Sequence, residues 1–228
     1  MTGLKMADRR YYIIGDIHGY YIKLKRLFDI ISGEIREKDI IIFLGDYIDR
    51  GPDSFEVIDY LLKISVMYNT VFLTGNHEDM FLTFYTKGEN YYNYIRNGGG
   101  ATIKSYISHM NRLTIPENHK DFYNSLKLYY EGEDFIAVHA GLNPDIKKLS
   151  DQKKDDLIWV REEFYRSNKC WEKTIIFGHT PTPYLHNSYD VFIDKKRNII
   201  GLDTFAMNEE YPLTCMVWPD MRFFQGKL

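Results

Sequence analysis

Five times along this chain a short apolar run stops at a glycine or small residue beside His, Asp or Asn. The runs are Tyr11-Tyr12-Ile13-Ile14-Gly15-Asp16-Ile17-His18, Ile40-Ile41-Ile42-Phe43-Leu44-Gly45-Asp46 and Thr70-Val71-Phe72-Leu73-Thr74-Gly75-Asn76-His77, then Phe135-Ile136-Ala137-Val138-His139-Ala140-Gly141 and Thr174-Ile175-Ile176-Phe177-Gly178-His179-Thr180. Four to six consecutive apolar residues, rich in β-branched and aromatic types, predict strands buried on both faces. Polar clusters just past the carboxyl ends of such strands lie where open α/β sheets place their sites. One such segment would mean little; five together are hard to explain by chance.

Between these runs the apolar spacing turns helical. Leu24, Leu27, Phe28 and Ile31 mark a helix over 20–31. Val57, Ile58, Leu61, Leu62 and Ser65 mark another over 54–66, which starts behind Pro52 and Asp53. The first half therefore reads β-α-β-α-β and predicts a parallel sheet. Residues 78–125 are polar, Tyr-rich and helical in pattern, interrupted by Asn97-Gly98-Gly99-Gly100. They read as a helical insertion beside the site, within a single domain spanning 1–228. The tail returns to short alternating runs at 191–194, 199–203, 213–218 and 221–225, with turn residues at 194–198 and at Pro219-Asp220. These predict a second, antiparallel sheet.

The length of 228 residues, 44% of them hydrophobic, suits one domain with a large core and is short for two. The 19 tyrosines read as packing residues carrying a polar tip. A net charge of −3 lacks the basic excess of a general nucleic-acid binder. Cys170 and Cys215 are the only cysteines, so no disulfide framework is expected, and a reducing compartment suits them. Residues 1–8 lack the apolar stretch of a signal peptide, and no apolar run approaches bilayer length. The expectation is a cytoplasmic protein with neither membrane nor nucleic acid as partner.

The strand ends offer Asp16, His18, Asp46, Asn76, His139 and His179. All are oxygen or imidazole-nitrogen donors and none is a thiolate, a mixture that suits Mn, Fe or Zn and not a structural zinc cluster. Six ligands exceed what one tetrahedral ion needs and suit two ions sharing a carboxylate. Asp46, on a strand expected to be central, is the candidate bridge. Two ions roughly 3.5–4 Å apart lower the pKa of a shared water and hold the attacking and leaving oxygens of an in-line displacement. Arg50 supplies a planar fork suited to phosphate oxygens. His77, directly after Asn76, suits a proton donor to a leaving alkoxide, with Asp49 to orient it. His109, His119 and His186 belong to no strand-end cluster and are expected to pack or lie at the surface. Gly98 to Gly100 is equally readable as a plain turn or as a part of the site. No Gly-x-x-x-x-Gly-Lys-Ser/Thr run exists, so a phosphate-cradling nucleotide loop is absent. Neither cysteine is followed by Arg at the spacing of a thiolate phosphatase.

Gly15-Asp16-Ile17-His18-Gly19, Gly45-Asp46-Tyr47-Ile48-Asp49-Arg50-Gly51, Gly75-Asn76-His77-Glu78, His139-Ala140-Gly141 and Gly178-His179-Thr180 resemble, in order, the signature set of the phosphoprotein phosphatases. The resemblance runs from about residue 11 to about 204. Gly98-Gly99 and Leu157-Ile158-Trp159-Val160-Arg161-Glu162 are similar to the bacterial and phage branch of that family. The resemblance implies an α/β fold of the calcineurin-like metallophosphoesterase type, a four-layer α/β/β/α sandwich. It implies one ion on Asp16, His18 and Asp46, and another on Asp46, Asn76, His139 and His179. Arg50 and Arg161 would bind phosphate, Arg161 being nominated by resemblance alone, and His77 with Asp49 would be the proton-donor pair. The implied activity is hydrolysis of phosphoserine or phosphothreonine in proteins by a hydroxide shared between two divalent ions, manganese first, iron or zinc otherwise.

The chain departs from the family at Phe205, where Asp-Thr-Gly is common, and at Lys127, where a Pro is common. Both bear on loop shape. Asp49 and Glu78 favour a protein phosphatase over the runner-up, a dinucleoside polyphosphate (diadenosine tetraphosphate) hydrolase. The alternative outside enzymes is a non-catalytic module that binds a phospho-ligand.

Overall fold

Strand residues of alternating parity face opposite sides of a sheet, and that alternation assigns every layer of this chain. The computed structural model describes residues 9–228; residues 1–8, which carry the targeting expectation, lie outside the described residues. Strands β1 (Tyr11–Ile14), β2 (Ile40–Phe43) and β3 (Thr70–Phe72) run parallel, connected by helices α1 (Tyr21–Ile31) and α2 (Ser54–Met67). Tyr12, Ile14, Ile41 and Phe43 meet Leu24, Leu27, Phe28, Val57, Ile58 and Leu61 of the two helices in one core. Ile13 and Ile42 point the other way, into a second core.

After β3 come α3 (Asn76–Lys87), α4 (Tyr91–Arg96), α5 (Gly99–Met110) and α6 (Glu117–Ser125). Their Phe81, Tyr94, Tyr106, Phe122 and Tyr123 join the first core, so this segment packs into the same layer as α1 and α2. Of the Tyr91-Tyr92-Asn93-Tyr94 run, Tyr94 is buried while Tyr91 and Tyr92 are exposed. The chain then forms β4 (Tyr129–Glu131), β5 (Phe135–Val138), α7 (Lys154–Trp159), α8 (Glu162–Tyr165), β6 (Thr174–Phe177) and α9 (Thr182–His186). It closes with β7 (Phe192–Asp194), β8 (Ile199–Gly201), β9 (Leu213–Trp218) and β10 (Arg222–Gly226).

Among the described residues the strands form two five-stranded sheets, ordered β10-β9-β1-β2-β3 and β4-β5-β6-β8-β7. Phe135, Ala137, Ile176 and Ile200 of the second sheet meet Ile13, Ile42 and Met216 of the first between the sheets. Ile136, Val138, Ile175 and Phe177 face outward onto Leu157, Ile158 and Phe164 of α7 and α8. Helices, sheet, sheet and helices thus stack in the four layers expected.

The tail corrects the reading of a separate antiparallel sheet. β9 pairs antiparallel with β1 and β10, completing the first sheet, while β8 runs parallel to β6 and antiparallel to β7 in the second. Both sheets are mixed. Alternation in a short run shows which residues share a face but not which strand lies alongside. β1, and not β2, holds the middle of its sheet. Strand β4 went unread because three half-exposed residues carry too little periodicity.

Lys23 of α1 is fully buried beneath the loop after β8. Its ammonium donates to the carbonyls of Ala206, Asn208 and Tyr211 at 2.8, 2.5 and 2.7 Å. Burial pushes its pKa down to about 8, which still leaves a cation at neutral pH. That loop also brings the Met207 sulfur against the Arg50 guanidinium. Lys23→Met strands buried acceptors, and we expect a loss of roughly 1–3 kcal/mol, read from the urea midpoint. An unchanged midpoint would show that the three carbonyls find other donors.

Candidate active site

Both sheets deliver their polar tips to the same end. Asp16 and His18 follow β1, Asp46, Asp49 and Arg50 follow β2, and Asn76 and His77 open α3 directly after β3. His139 follows β5 and His179 follows β6. Of these, all but Arg50 are buried. His139 Nε2 lies 3.0 Å from Asn76 Oδ1 and 3.4 Å from Asp46 Oδ1, and His18 Nε2 lies 3.6 Å from Asp46 Oδ2. The His179 backbone N–H donates to Asp16 Oδ2 at 3.0 Å. The six predicted ligands are therefore neighbours in space.

The backbone is forced into this arrangement. His18, Asp46, Asp49, Arg50 and His179 all have φ between 50 and 71°, the left-handed region that disfavours residues with a Cβ. Compensating bonds hold it. The Asp46 carbonyl accepts from Ile17 and His18, and the His18 carbonyl accepts from Gly51. Glu78, fully buried, accepts backbone N–H bonds from Asp46, Tyr47 and Gly75 at 2.8–2.9 Å. Burial and the Asp46 charge push its carboxyl up to about 8, against those three donors, which favour the anion. At Gly75 a Cβ would collide with the Asp46 carboxylate, and at Gly178 with that of Asp16. These two glycines clear the space that the carboxylates occupy.

The donor set fits cations. His18 Nδ1 bonds the Ile48 carbonyl at 3.1 Å and His139 Nδ1 that of Leu44 at 2.9 Å. Each ring spends its hydrogen there, so each Nε2 presents a lone pair to the site, as metal-ligating histidines do. His139 Nε2 and Asn76 Oδ1 then face each other as two acceptors. Asp16 Oδ1 and His179 Nε2 are buried without a hydrogen-bond partner. Burial pushes the pKa of His18, His139 and His179 down, keeping the imidazoles neutral. Asp16 is pushed up by burial and by the charges of Asp203 and Asp46. Burial would also raise Asp46, but its carboxyl is held below the usual carboxylate range, because any positive charge taken up by His139, His77 or His18 beside it favours the anion. Buried acceptors converging in this way call for positive charge.

Among the described residues two groups have ligand atoms all within 4.8 Å of one another: His18, Asp46 and His77, and Asp46, His139 and His179. Asp46 belongs to both. His77 enters the first by proximity, yet its Nδ1 bonds a carboxylate, Asp49 Oδ2 at 2.7 Å, where His18 and His139 bond neutral carbonyls. A carboxylate there favours the imidazolium, which has no lone pair to give a cation. The unpartnered oxygen of Asp16 suits a cation better. Burial lowers the His77 pKa, but the Asp46 charge and the Asp49 bond outweigh it and raise the value overall.

Arg50 reaches His18 Nε2 and His77 Nε2, each at 3.1 Å. Arg161, exposed ahead of α8, donates to the His179 carbonyl and to Thr180 Oγ1 at 3.2 Å. Two guanidinium groups thus flank the cluster. Elsewhere, His119 is buried against Tyr106 and Asp59, His109 stacks on Phe55, and His186 bonds the Asp190 carbonyl at the surface. Cys170 is exposed and Cys215 buried, both free.

The sequence reading missed Asp203. It is buried, near enough to Asp16 and Asp46 to share their field, and pushed up to about 6, chiefly by burial. Its signal was present: Ile199-Ile200-Gly201-Leu202-Asp203 is a sixth apolar run ending in a carboxylate.

Comparison with known proteins matches residues 9–204 to the family Calcineurin-like phosphoesterase (Metallophos). Serine/threonine-protein phosphatase 2B catalytic subunit A2 of Saccharomyces cerevisiae (strain ATCC 204508 / S288c) is 34% identical over 143 residues, 61% of this chain and 21% of that protein. The chain spans about a fifth of the length of the curated relatives it matches. The solved structure of a candidate diadenosine tetraphosphatase superposes with a TM-score of 0.70 at 21% identity, covering 99% of this chain and 96% of that one. That of a mutant cold-active protein tyrosine phosphatase gives 0.65 at 17% identity, covering 97% and 80%. At these identities the two structures speak for the fold alone. Among the described residues no helix is long and apolar enough to cross a membrane. Since the matched stretch takes in every strand-end cluster and most of the sequence, the chain belongs to the calcineurin-like phosphoesterase family.

Proposed function

We propose that this chain is a metal-dependent serine/threonine protein phosphatase of the bacterial and phage type. The observation that carries the reading is the pair of metal-capable groups sharing Asp46, flanked by Arg50, Arg161 and the His77–Asp49 pair. Asp16, His18 and Asp46 would hold one divalent ion, and Asp46, Asn76, His139 and His179 a second, with manganese first and iron or zinc otherwise. When bound, such ions lower the pKa of a water at the site and offset charge on the phosphoryl oxygens.

The chain's own residues do the rest. Arg50 and Arg161 approach from two sides and take the phosphoryl oxygens with charge-assisted hydrogen bonds. The phosphate is thereby aligned so that attack by water comes opposite the ester oxygen. As the ester P–O bond breaks, its electron pair stays on the leaving oxygen, which takes the proton from His77 Nε2. Asp49 holds the opposite ring nitrogen and stabilises the imidazolium beforehand.

The sequence relationship to phosphatase 2B subunits supports a phosphoprotein substrate. Diadenosine tetraphosphate hydrolysis is the second reading, favoured by the near-complete mutual coverage with the diadenosine tetraphosphatase structure. Non-catalytic binding of a phospho-ligand is disfavoured because every proposed catalytic group is present.

With manganese, the purified protein should release phosphate from a phosphoserine peptide, lose that activity to EDTA and regain it with added manganese. Turnover of diadenosine tetraphosphate alone would transfer the assignment to the second reading. Asp46→Asn should lose metal and activity together; a mutant with full metal content and full activity would refute the bridge. His77→Asn should lower turnover by roughly 10²–10⁴ while metal content stays normal, and a loss of metal would mean that its role is misassigned.

A further inference from the structure

The helices between β3 and β4 do more than fill a layer, because two of their side chains end on the carboxylate behind His77. Asp49 is fully buried and has three side-chain donors. His77 Nδ1 reaches Oδ2 at 2.7 Å, while Tyr94 Oη and Thr102 Oγ1 both donate to Oδ1, at 2.8 and 2.6 Å. The network is directional. Ser54 Oγ lies 2.9 Å from Thr102 Oγ1, and the Asp49 backbone N–H is shared by these two hydroxyls at 3.2 and 2.9 Å. Thr102 gives its one hydrogen to Asp49, which leaves Ser54 as the donor between the hydroxyls.

Gly98-Gly99 is what allows this approach. A Cβ at Gly99 would collide with the Tyr94 ring, and one at Gly98 would stand 2.8 Å from Arg50 Cγ. The Gly98 carbonyl accepts the Arg50 backbone N–H at 3.2 Å. The Tyr94 ring is itself packed on Phe84, with centroids 5.4 Å apart. The phenol is kept neutral, its pKa raised by burial and by the Asp49 charge, and so remains a donor.

We infer that Tyr94 and Thr102 are positioning residues of the leaving-group step: they fix the Asp49 carboxylate, which keeps a hydrogen on His77 Nδ1 and aims Nε2 at the leaving oxygen. The Gly98-Gly99 turn serves that contact and is not a flexible link. This inference rests on His77 being the proton donor. In the step concerned, the oxygen of the attacking water bonds phosphorus as the P–O bond to the seryl oxygen breaks. The electron pair of the broken bond stays on the seryl oxygen, and the Nε2 proton moves to it, so that serine and inorganic phosphate leave. Removing a donor from Oδ1 lets the carboxylate turn and loosens the imidazole, without touching a metal ligand or a phosphate-binding arginine.

The test uses leaving groups of different basicity on the manganese-loaded protein. A seryl alkoxide must be protonated as it leaves, whereas p-nitrophenolate departs without a proton. Tyr94→Phe and Thr102→Val should each lower kcat on a phosphoserine peptide about 10- to 100-fold, within the range for loss of a buried orienting partner. KM and metal content should stay constant, and p-nitrophenyl phosphate turnover should fall less than about threefold. Thr102→Ser, which keeps the hydroxyl, should restore the peptide activity. His77→Asn, run alongside, should show the same split in larger measure. If His77→Asn shows it and the other two variants do not, or they lose both activities equally, the positioning role is wrong while the acid assignment stands. If His77→Asn shows no split, the acid assignment fails and the inference falls with it.

Discussion

Three carboxylates, those of Asp16, Asp46 and Asp203, share one buried space with the lone pairs of neutral imidazoles, and the chain's own hydrogen bonding leaves Asp16 Oδ1 and His179 Nε2 without a partner. Removing such groups from water costs several kcal/mol each unless opposite charge compensates. The guanidinium of Arg50 supplies part of it, reaching across to His18 and His77. The arrangement makes sense as a receptor for cations, and much of the surrounding structure can be understood as the means of keeping it from relaxing.

That means is backbone geometry. Five of the residues bearing functional groups, His18, Asp46, Asp49, Arg50 and His179, sit in left-handed conformations, and an unsupported loop would escape them. Here the loops after β1 and β2 are tied to each other through the Asp46 carbonyl, and Glu78 ties the loop after β2 to the start of α3. Glu78 thus serves the site without facing it. The second sheet contributes His139 and His179 from across the inter-sheet core, so the site's geometry depends on how tightly Ile13, Ile42 and Met216 pack on Phe135, Ala137 and Ile176. A shift of that interface would move two histidines relative to the carboxylates.

The substrate question has a different physical basis. Three substrate names, phosphoserine/threonine protein, phosphotyrosine protein and diadenosine tetraphosphate, attach to proteins that this chain resembles in sequence or in fold. A metal-capable cluster with flanking arginines, on the reading proposed above, would meet what those substrates share, the phosphoryl group. What distinguishes them must be read by the walls around it, such as the loop that Lys23 holds against Arg50.

By itself the sequence determined which residues could do chemistry and which runs would be strands, because both are written locally: apolar runs end at Gly beside His, Asp or Asn. It also placed β9 residue for residue. Pairing was not written there. That β9 joins β1 in the first sheet, that three-residue β4 exists at all, and that Asp203 completes the carboxylate cluster follow from which surfaces remain to be covered once the other elements have packed. Likewise Tyr94 and Thr102 stand 45 and 53 residues from Asp49 and read as ordinary helix residues. Only the folded chain brings their hydroxyls within 2.8 Å of a buried carboxylate, since hydrogen bonds between distant segments are chosen by the cost of leaving a buried charge unsatisfied and leave no periodic trace.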